Sequence, residues 1–491
     1  MKDLYSIKIG GPAGFGIMSA GLTFSKIATH SGYKVYDYAE YPSIIRGGHN
    51  VIQVVWGKDE VRSPIKDVHL LIALDQNTID LHWQELVEGG GIIFDKDKSL
   101  NLSAVESKCK LYPVSLVQIA KDCGGSDLMR NTVSLGVAMA LLGGNVEVLK
   151  TLVANEFERK GPEIVAQNQK AVQGGFDFAK ENFECNWNYL NEVENIDDQI
   201  VINGNEAVAM GAIAAGMQFT AIYPMTPTSG ILVPLAKYQE KYGFVYRQPE
   251  DEIAGINMAL GAAFAGARSM VATSGGGFCL MVEGLGLGGI VELPVVVIEG
   301  MRGAPATGLP TWTEQGDLKF VLSSGHGDFP RIVVAASDPK DAFEIVMQAF
   351  NLADKYQTPV VVLVDKMICE GHQSYFPFDT SNYYVDEGKI IKEKVEGYKR
   401  FELSEDGISP RSILGVGNHV VANSDEHDEV GFSIEDAPTR IQQMEKRMKK
   451  LETLVKNENL EPQFYGNENA PITIVSWGSN KGSILQAMDE F

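Results

Sequence analysis

Three stretches near the middle of the sequence combine residue types that suit an anionic or heterocyclic ligand. The first, Tyr223-Pro224-Met225-Thr226-Pro227-Thr228-Ser229, stands between a strand-like run and a helical one. Two prolines stiffen it, and three hydroxyls beside a helix N-terminus can meet an anionic group. A merely rigid loop accounts for it as well. The second centres on Glu252, at the head of the run Ile253-Ala254-Gly255-Ile256-Asn257-Met258-Ala259-Leu260-Gly261-Ala262. Such a helix, almost all small or apolar, should be buried. A carboxylate at its start is favoured by the helix dipole but still needs a partner. Glu252 is therefore either an N-terminal cap or a proton-handling group that faces a heterocycle. The third, Met301-Arg302-Gly303-Ala304-Pro305-Ala306-Thr307-Gly308-Leu309-Pro310-Thr311, follows a strand-like run. Arg302, in a glycine-rich loop, is placed to grip a carboxylate through two parallel hydrogen bonds.

Other candidates are less specific. Gly11-Pro12-Ala13-Gly14-Phe15-Gly16 joins a strand to a helix, where backbone N–H groups can cradle a phosphate. Its spacing inverts the G-x-G-x-x-G pattern, and a glycine turn without a ligand explains it equally well. Tyr41-Pro42-Ser43-Ile44-Ile45-Arg46-Gly47-Gly48-His49 offers Arg46 and open backbone to an anion or a partner chain, although a turn with a surface Arg suffices. His419 with Asp425, Glu426, His427 and Asp428 has metal-ligating residue types, but an acidic solvated loop is the better account. No metal site is expected on this chain.

These residues have to be positioned by an α/β framework. Strand-like runs at Ser6–Gly10, Lys34–Tyr38, Val51–Trp56, His69–Leu74 and Gly91–Asp95, with helical stretches such as Ile17–Ser31, indicate a first α/β domain over residues 1–190 with a largely parallel sheet. Asn186–Gln199 is polar and acidic and suits a linker. A second α/β unit begins at Val201 and occupies residues 200–372. It contains strands Thr220–Tyr223, Ser269–Thr273, Pro294–Glu299, Arg331–Ala335 and Val360–Val364. Residues 373–470 form a connecting region with weaker periodicity. It closes on a helix after Asp436-Ala437-Pro438, where Asp is a plausible N-cap and Pro lies in the first turn. There Ile441, Met444, Met448, Leu451 and Val455 make one apolar stripe, expected to pack on the body of the protein. Ile472–Trp477 has the pattern of a buried strand, followed by a turn and the start of a helix. One βα unit cannot bury both faces, so residues 471–491 are expected to open an incomplete third domain that a truncation or a partner explains.

Composition sets the outer limits. The chain has 491 residues, 44% apolar and 22% charged, as in ordinary globular proteins of several domains. No apolar run reaches the length of a membrane span and no signal peptide opens the sequence, so no membrane association is expected. The net charge of −22 repels phosphate backbones and argues against nucleic acid, while leaving room for a local basic pocket. Five scattered cysteines without C-x-x-C spacing suit a reducing, cytoplasmic compartment, and argue against an iron–sulfur cluster held by this chain alone.

Tyr223–Ser229 resembles the Tyr-Pro-Ile-Thr-Pro signature of the α subunit of 2-oxoacid:ferredoxin oxidoreductases, with Met225 in place of Ile. Arg302–Thr311 resembles that family's Arg-Gly-x-Pro-x-Thr-Gly-x-Pro-Thr segment, and Thr313-Glu314-Gln315-Gly316-Asp317-Leu318 continues the likeness. Gly204-Asn205-Glu206-Ala207 and the Glu252 helix fit the same pattern. The N-terminal segment resembles the γ domain that two-subunit members carry fused ahead of α. Asn418–Pro438 resembles their connecting region, and Ile472–Phe491 the opening of their C-terminal transketolase-like domain. The resemblance implies an α/β multidomain fold with a thiamine-diphosphate pyrimidine-type domain. It implies CoA-dependent, reversible oxidative decarboxylation of a 2-oxoacid, 2-oxoglutarate favoured, with electrons passing to ferredoxin. A partner β subunit, in an (αβ)₂ assembly, would hold the diphosphate, Mg²⁺ and a [4Fe–4S] cluster; no Gly-Asp-Gly diphosphate motif occurs here. By the same resemblance Glu252 would hydrogen-bond N1′ of the aminopyrimidine. Thr226, Pro227 and Tyr223 would line cofactor and substrate, Arg302 would hold the substrate carboxylate, and Gly11, Gly14 and Gly16 would face coenzyme A.

Two other classes compete. A dinucleotide-dependent oxidoreductase would use the N-terminal glycine turn, but its spacing is wrong and no ribose-binding acid is evident. A non-catalytic assembly subunit would need the shape without Glu252, Thr226 and Arg302, and all three are present.

Overall fold

The computed structural model describes residues 4–44, 47–191 and 198–490. Arg46 and residues 192–197 of the expected linker thus lie outside the described residues. The chain forms two compact units. The first comprises residues 1–203, 370–378 and 482–491, and the second residues 204–369 and 379–481. The strand Ile200–Asn203, expected to open the second α/β unit, pairs instead within the sheet of the first.

The first unit is built on Leu4–Ala13 (β1), Lys34–Glu40 (β2), Gly47–Gly57 (β3), Val68–Ala73 (β4), Leu86–Asp95 (β5), Lys110–Val114 (β6), Ile200–Asn203 (β7) and His372–Tyr375, the last strand of this sheet in chain order. From one edge the order runs β6, β5, β4, β1, β3, β2, His372–Tyr375, β7. The expected largely parallel sheet holds only for β6, β5, β4 and β1. The other half is antiparallel, since β3 lies between β1 and β2 and runs against both. No helix separates β2 from β3, and strands joined without a crossover run antiparallel. The period of two divides the side chains between the faces. Leu70 and Ile72 of β4 join the larger core with Phe24 and Val137, while Leu71 and Ala73 join a smaller one with Ile79 and Val105.

The second unit carries a wholly parallel sheet of Phe219–Ala221 (β8), Val245–Arg247 (β9), Ser269–Ser274 (β10), Val296–Met301 (β11), Ile332–Ala335 (β12) and Val360–Asp365 (β13), in the order β12, β13, β11, β10, β8, β9. Strands β10, β11 and β13 are buried along their whole length, which is why Val296–Ile298 and Val360–Val364 run apolar on both faces rather than alternating. Ile256, Leu260, Phe278, Met281 and Leu285 of the helices Glu252–Phe264 and Gly275–Ile290 pack on Val271, Val297 and Leu363.

The helix Ala437–Asn457 begins as expected, with the Asp436 carboxylate accepting from Thr439 N at 2.9 Å. Its buried face differs from expectation. Gln443, Lys446, Arg447, Lys450 and Leu454 point inward, and the apolar stripe is left half-buried or exposed. Buried acid decides this: Glu292 accepts Lys446 and Lys450 at 2.6 Å each, and Arg447 pairs with Glu426 at 2.7 Å. An acid already buried at Glu292 has to be paired, and leaving it without a cation costs more than exposing part of an apolar stripe. Glu426 is thereby committed to Arg447 and Arg440, and His427 lies against Phe401 with ring centroids 4.0 Å apart and the planes tilted by 46°. Among the described residues no group of three His, Cys, Asp or Glu could hold a metal ion.

Ile472–Trp477 does not form the expected strand. It is exposed coil, with Val475 92% exposed, and only Trp477 packs on the second unit's core. Its backbone finds no neighbouring strand to complete a ladder.

Candidate functional site

In the second unit, β8, β9, β10 and β11 deliver their C-terminal ends to a common region, where open parallel sheets bind ligands. The loop after β8 is fastened to the ends of the other strands. Asn205 donates to the Pro227 carbonyl at 2.8 Å, and Thr228 Oγ1 and Ser229 N both close on the Met225 carbonyl at 3.0 Å. Gly300 permits this packing, because a Cβ there would come within 2.5 Å of Thr228 Cγ2 and 3.1 Å of Pro227 Cγ. The Thr226–Pro227 bond is cis.

Arg302, directly after β11, reaches that loop: its Nη1 donates to the Thr226 carbonyl at 2.6 Å. Its other N–H groups have no partner among the described residues, and it forms no ion pair there. The guanidinium is half-buried and feels the charge of Asp317. A planar fork with one corner pinned and the remaining donors free is suited to a carboxylate. The structure thus brings Thr226 and Arg302 together. Tyr223, at the start of the loop, is exposed.

Glu252 opens the helix that follows β9. It is not the cap: Asp251 takes that role, accepting from Ala254 N at 2.8 Å. Glu252 is only 3% exposed, yet its Oε1 meets no hydrogen-bond partner. Buried carboxylate oxygens are rarely left so, because an unsatisfied one costs several kcal/mol (roughly 2–7 on transfer scales). The glycine start of the next helix makes room for it. A Cβ on Gly277 would fall 2.5 Å from Glu252 Oε1 and 2.1 Å from Thr273 Oγ1. The missing partner of Oε1 is thus a donor that the protein itself does not supply, which fits the protonated ring nitrogen of a heterocycle. Two further carboxyl groups, Glu299 on β11 and Asp317, lie at the same strand ends. Burial pushes Glu299 well above the usual carboxylate range, the neighbouring Asp317 adding to it, and raises Asp317 too. Reading the sequence singled out neither as a site residue. The signal was available: an acid in an otherwise apolar buried strand has to be held by something.

In the first unit the glycine segment divides. Gly11 belongs to β1, opposite Asn50, and is buried; a Cβ there would meet Leu74 Cβ at 2.9 Å, so it serves packing. Gly14 and Gly16 form the exposed turn, at φ +88° and +71°, a region that favours glycine. Gly16 is also the residue before the helix Ile17–His30. Two cations that the sequence reading missed flank this turn. Arg130 lies over the Phe15 ring at 4.4 Å, and Lys98 lies 5.7 Å from the same ring while donating to the Leu74 carbonyl at 2.7 Å. Burial, and then the charge of Arg130, hold Lys98 below its ordinary pKa. Two neighbouring cations beside open backbone N–H groups, in a chain so acidic overall, suit an anion.

Residues 210–446 match the family described as "Pyruvate flavodoxin/ferredoxin oxidoreductase, thiamine diP-bdg", and residues 6–178 match "Pyruvate ferredoxin/flavodoxin oxidoreductase". The 2-oxoacid:ferredoxin oxidoreductase subunit alpha of Saccharolobus solfataricus is 36% identical, over 98% of this chain and 84% of its own length. The 2-oxoglutarate synthase subunit KorA of Methanothermobacter thermautotrophicus is 32% identical, over 59% of this chain and 77% of its own. Among solved structures, the 2-oxoglutarate:ferredoxin oxidoreductase of Magnetococcus marinus, with 2-oxoglutarate, coenzyme A and succinyl-CoA bound, superposes with a TM-score of 0.91. It is 31% identical, covering 100% of this chain and 86% of that one.

Proposed function

The chain belongs to the 2-oxoacid:ferredoxin oxidoreductases, as an α subunit, and from that premise we propose that with a β subunit it converts 2-oxoglutarate, coenzyme A and oxidised ferredoxin to succinyl-CoA, CO₂ and reduced ferredoxin, reversibly. One observation carries the reading: a buried carboxylate without a partner, Glu252, and an Arg with an uncommitted fork, Arg302, stand at the ends of one parallel sheet. The preference for 2-oxoglutarate is supported by the names of the Methanothermobacter relative and of the Magnetococcus structure.

Thiamine diphosphate, when bound, supplies the carbon nucleophile that makes loss of CO₂ from a 2-oxoacid feasible. The residues present fit its pyrimidine end. Glu252 Oε1 would accept the hydrogen bond of the protonated N1′ nitrogen and hold that proton. Thr226 and Pro227 would form the wall beside it, with Tyr223 toward the substrate. Arg302 would fix the 1-carboxylate of the 2-oxoacid. We assign the diphosphate, Mg²⁺ and a [4Fe–4S] cluster to the β subunit, in an (αβ)₂ assembly. Partner packing is supported by Ile253, Met258 and Leu280, exposed on the two apolar helices that border the site. In the first unit, Gly14 and Gly16 with Arg130 and Lys98 would take a phosphate of coenzyme A. Among the described residues no helix is long and apolar enough to cross a membrane; with five free cysteines, the cytoplasm is the proposed compartment.

The test is viologen reduction by the co-expressed α/β pair with a panel of 2-oxoacids. Coenzyme A-dependent activity that is highest with 2-oxoglutarate supports the proposal. Activity confined to pyruvate or branched 2-oxoacids overturns the substrate, and inactivity with every 2-oxoacid overturns the reaction.

A further inference from the structure

The loop that carries Arg302 leaves β11 and returns at Gln315, and both of its ends are fastened to Asp365, the last residue of β13. Met301, the residue before Arg302, lies opposite Asp365 in the parallel ladder. At the far end, Gln315 Nε2 donates to Asp365 Oδ2 at 3.3 Å. The outgoing and returning legs are also joined to each other. Gly303 N donates to the Trp312 carbonyl at 3.2 Å, Leu309 N to the Gly303 carbonyl at 2.8 Å, and Ala304 N to Glu314 Oε2 at 3.2 Å. The backbone that leaves Arg302 is thus held by a leg whose own anchor is Gln315.

A second segment clasps that anchor. Gln315 Nε2 also meets the Trp477 carbonyl at 3.3 Å and Ser479 Oγ at 3.5 Å, and Gln315 Oε1 accepts from Asn480 Nδ2 at 2.7 Å. Ser479 Oγ in turn donates to Asp365 Oδ2. Glycine lets the turn come this close: Gly478 has φ +68°, and a Cβ there would lie 2.4 Å from Gln315 Nε2. Asp365 is fully buried, and its Oδ1 accepts from Ile368 N at 3.1 Å, so the anchor point is itself fixed. An amide suits this place, because the side chain must donate to a carboxylate and a carbonyl and accept from Asn480.

We propose that Gln315 is a positioning residue, which closes the Arg302 loop on Asp365 beneath the Trp477–Asn480 turn and so keeps the Arg302 backbone where its guanidinium reaches the Thr226 carbonyl. The inference rests on the reading of Arg302 as the group that grips the substrate carboxylate. An unfastened loop would have to be ordered at each binding event, and that cost falls on substrate affinity rather than on the chemical step.

The test uses the co-expressed α/β pair, with KM for the 2-oxoacid and kcat read separately. Gln315→Leu, which removes every bond of the clasp, should raise KM by about tenfold and change kcat by no more than about threefold. Gln315→Glu keeps the shape but sets a second carboxylate against Asp365, and should raise KM at least as much. Adding Asp365→Asn to Gln315→Glu should recover most of the loss, because the reversed pair again joins a donor to an acceptor. A side chain that only fills space would gain nothing from that reversal. The proposal is overturned if Gln315→Leu leaves KM unchanged, or if Asp365→Asn fails to rescue Gln315→Glu. Arg302→Lys run in parallel separates the two ideas. An unchanged KM there removes the reading of Arg302, whereas a raised KM beside an unaffected Gln315→Leu removes only the present one. Where both single variants raise KM, the double variant Arg302→Lys with Gln315→Leu should be no worse than Arg302→Lys alone, since one residue acts through the other; additive losses overturn the coupling. Should Gln315→Leu fail to fold, the Gln315→Glu variant and its rescue still decide.

Discussion

Since Asp251 already caps the helix, Glu252 can be changed without unfastening it. Glu252→Gln keeps the size of the side chain but cannot stabilise a protonated ring nitrogen. In the co-expressed pair, turnover should fall by about 10²-fold or more, with the thermal midpoint little altered. A variant turning over at the wild-type rate would leave Glu252 without a catalytic role. Arg302→Lys keeps the charge and removes the fork. If Arg302 holds the 1-carboxylate, kcat/KM should drop for every 2-oxoacid by about 1–3 kcal/mol, with cofactor affinity unchanged. A loss confined to dicarboxylic substrates would instead assign Arg302 to the distal carboxylate of 2-oxoglutarate, and unchanged kinetics across the panel would take it out of the site.

At the level of elements, the helix Ala437–Asn457 is held by charge rather than by its apolar stripe. Glu292→Gln would leave Lys446 and Lys450 buried against a neutral amide, and removing one member of a buried pair costs roughly 3–5 kcal/mol. Arg447 and Arg440 hold Glu426 at about 2, against an ordinary 4.5. A carboxylate so depressed contributes stability above its unfolded value and loses it as pH falls toward its folded one. The stabilisation should therefore disappear between about pH 4.5 and pH 2. Glu426→Gln should flatten this part of the midpoint-against-pH curve, by about 1–2 kcal/mol once solvent screening is allowed for. Lys450 runs the other way. Burial pulls it down to about 8, so the unfolded chain binds the extra proton between pH 8 and its ordinary 10.5, and stability due to Lys450 rises across that interval. Thermal melts from pH 3 to pH 10 would show both limbs, and a flat acid limb in the wild type would contradict the Glu426 assignment.

For the whole molecule, the shared site predicts that the chain alone binds thiamine diphosphate weakly and is inactive. Tight, Mg²⁺-dependent binding in calorimetry of the isolated chain would contradict the division of labour between α and β. The first unit carries its own test. Arg130→Ala should weaken coenzyme A binding to the α/β pair and reduce its salt dependence, because a phosphate contact is largely electrostatic. It should leave the KM for the 2-oxoacid alone. Equal loss of affinity at low and high salt would point to lost packing on Phe15 instead.

Much of this was decided by sequence alone. Buried parallel strands announce themselves as apolar runs, and proline, glycine and Asp N-caps mark their boundaries; Tyr223–Ser229, Glu252 and Arg302 stood out because fixed loops, helix starts and strand ends are where polar groups need a reason. Tertiary structure decided the rest, wherever partners far apart in sequence compete. The antiparallel half of the first sheet depends on pairings such as β7 with His372–Tyr375, which no local pattern encodes. The Ala437–Asn457 helix turned its lysines inward because Glu292, more than 140 residues earlier, was buried waiting for them. Ile472–Trp477 had the residues of a strand and no neighbour to pair with. Arg130 and Lys98 come together only because folding brings both to Phe15. Local chemistry chooses which residues can act, and long-range pairing of charge and backbone determines which of them meet.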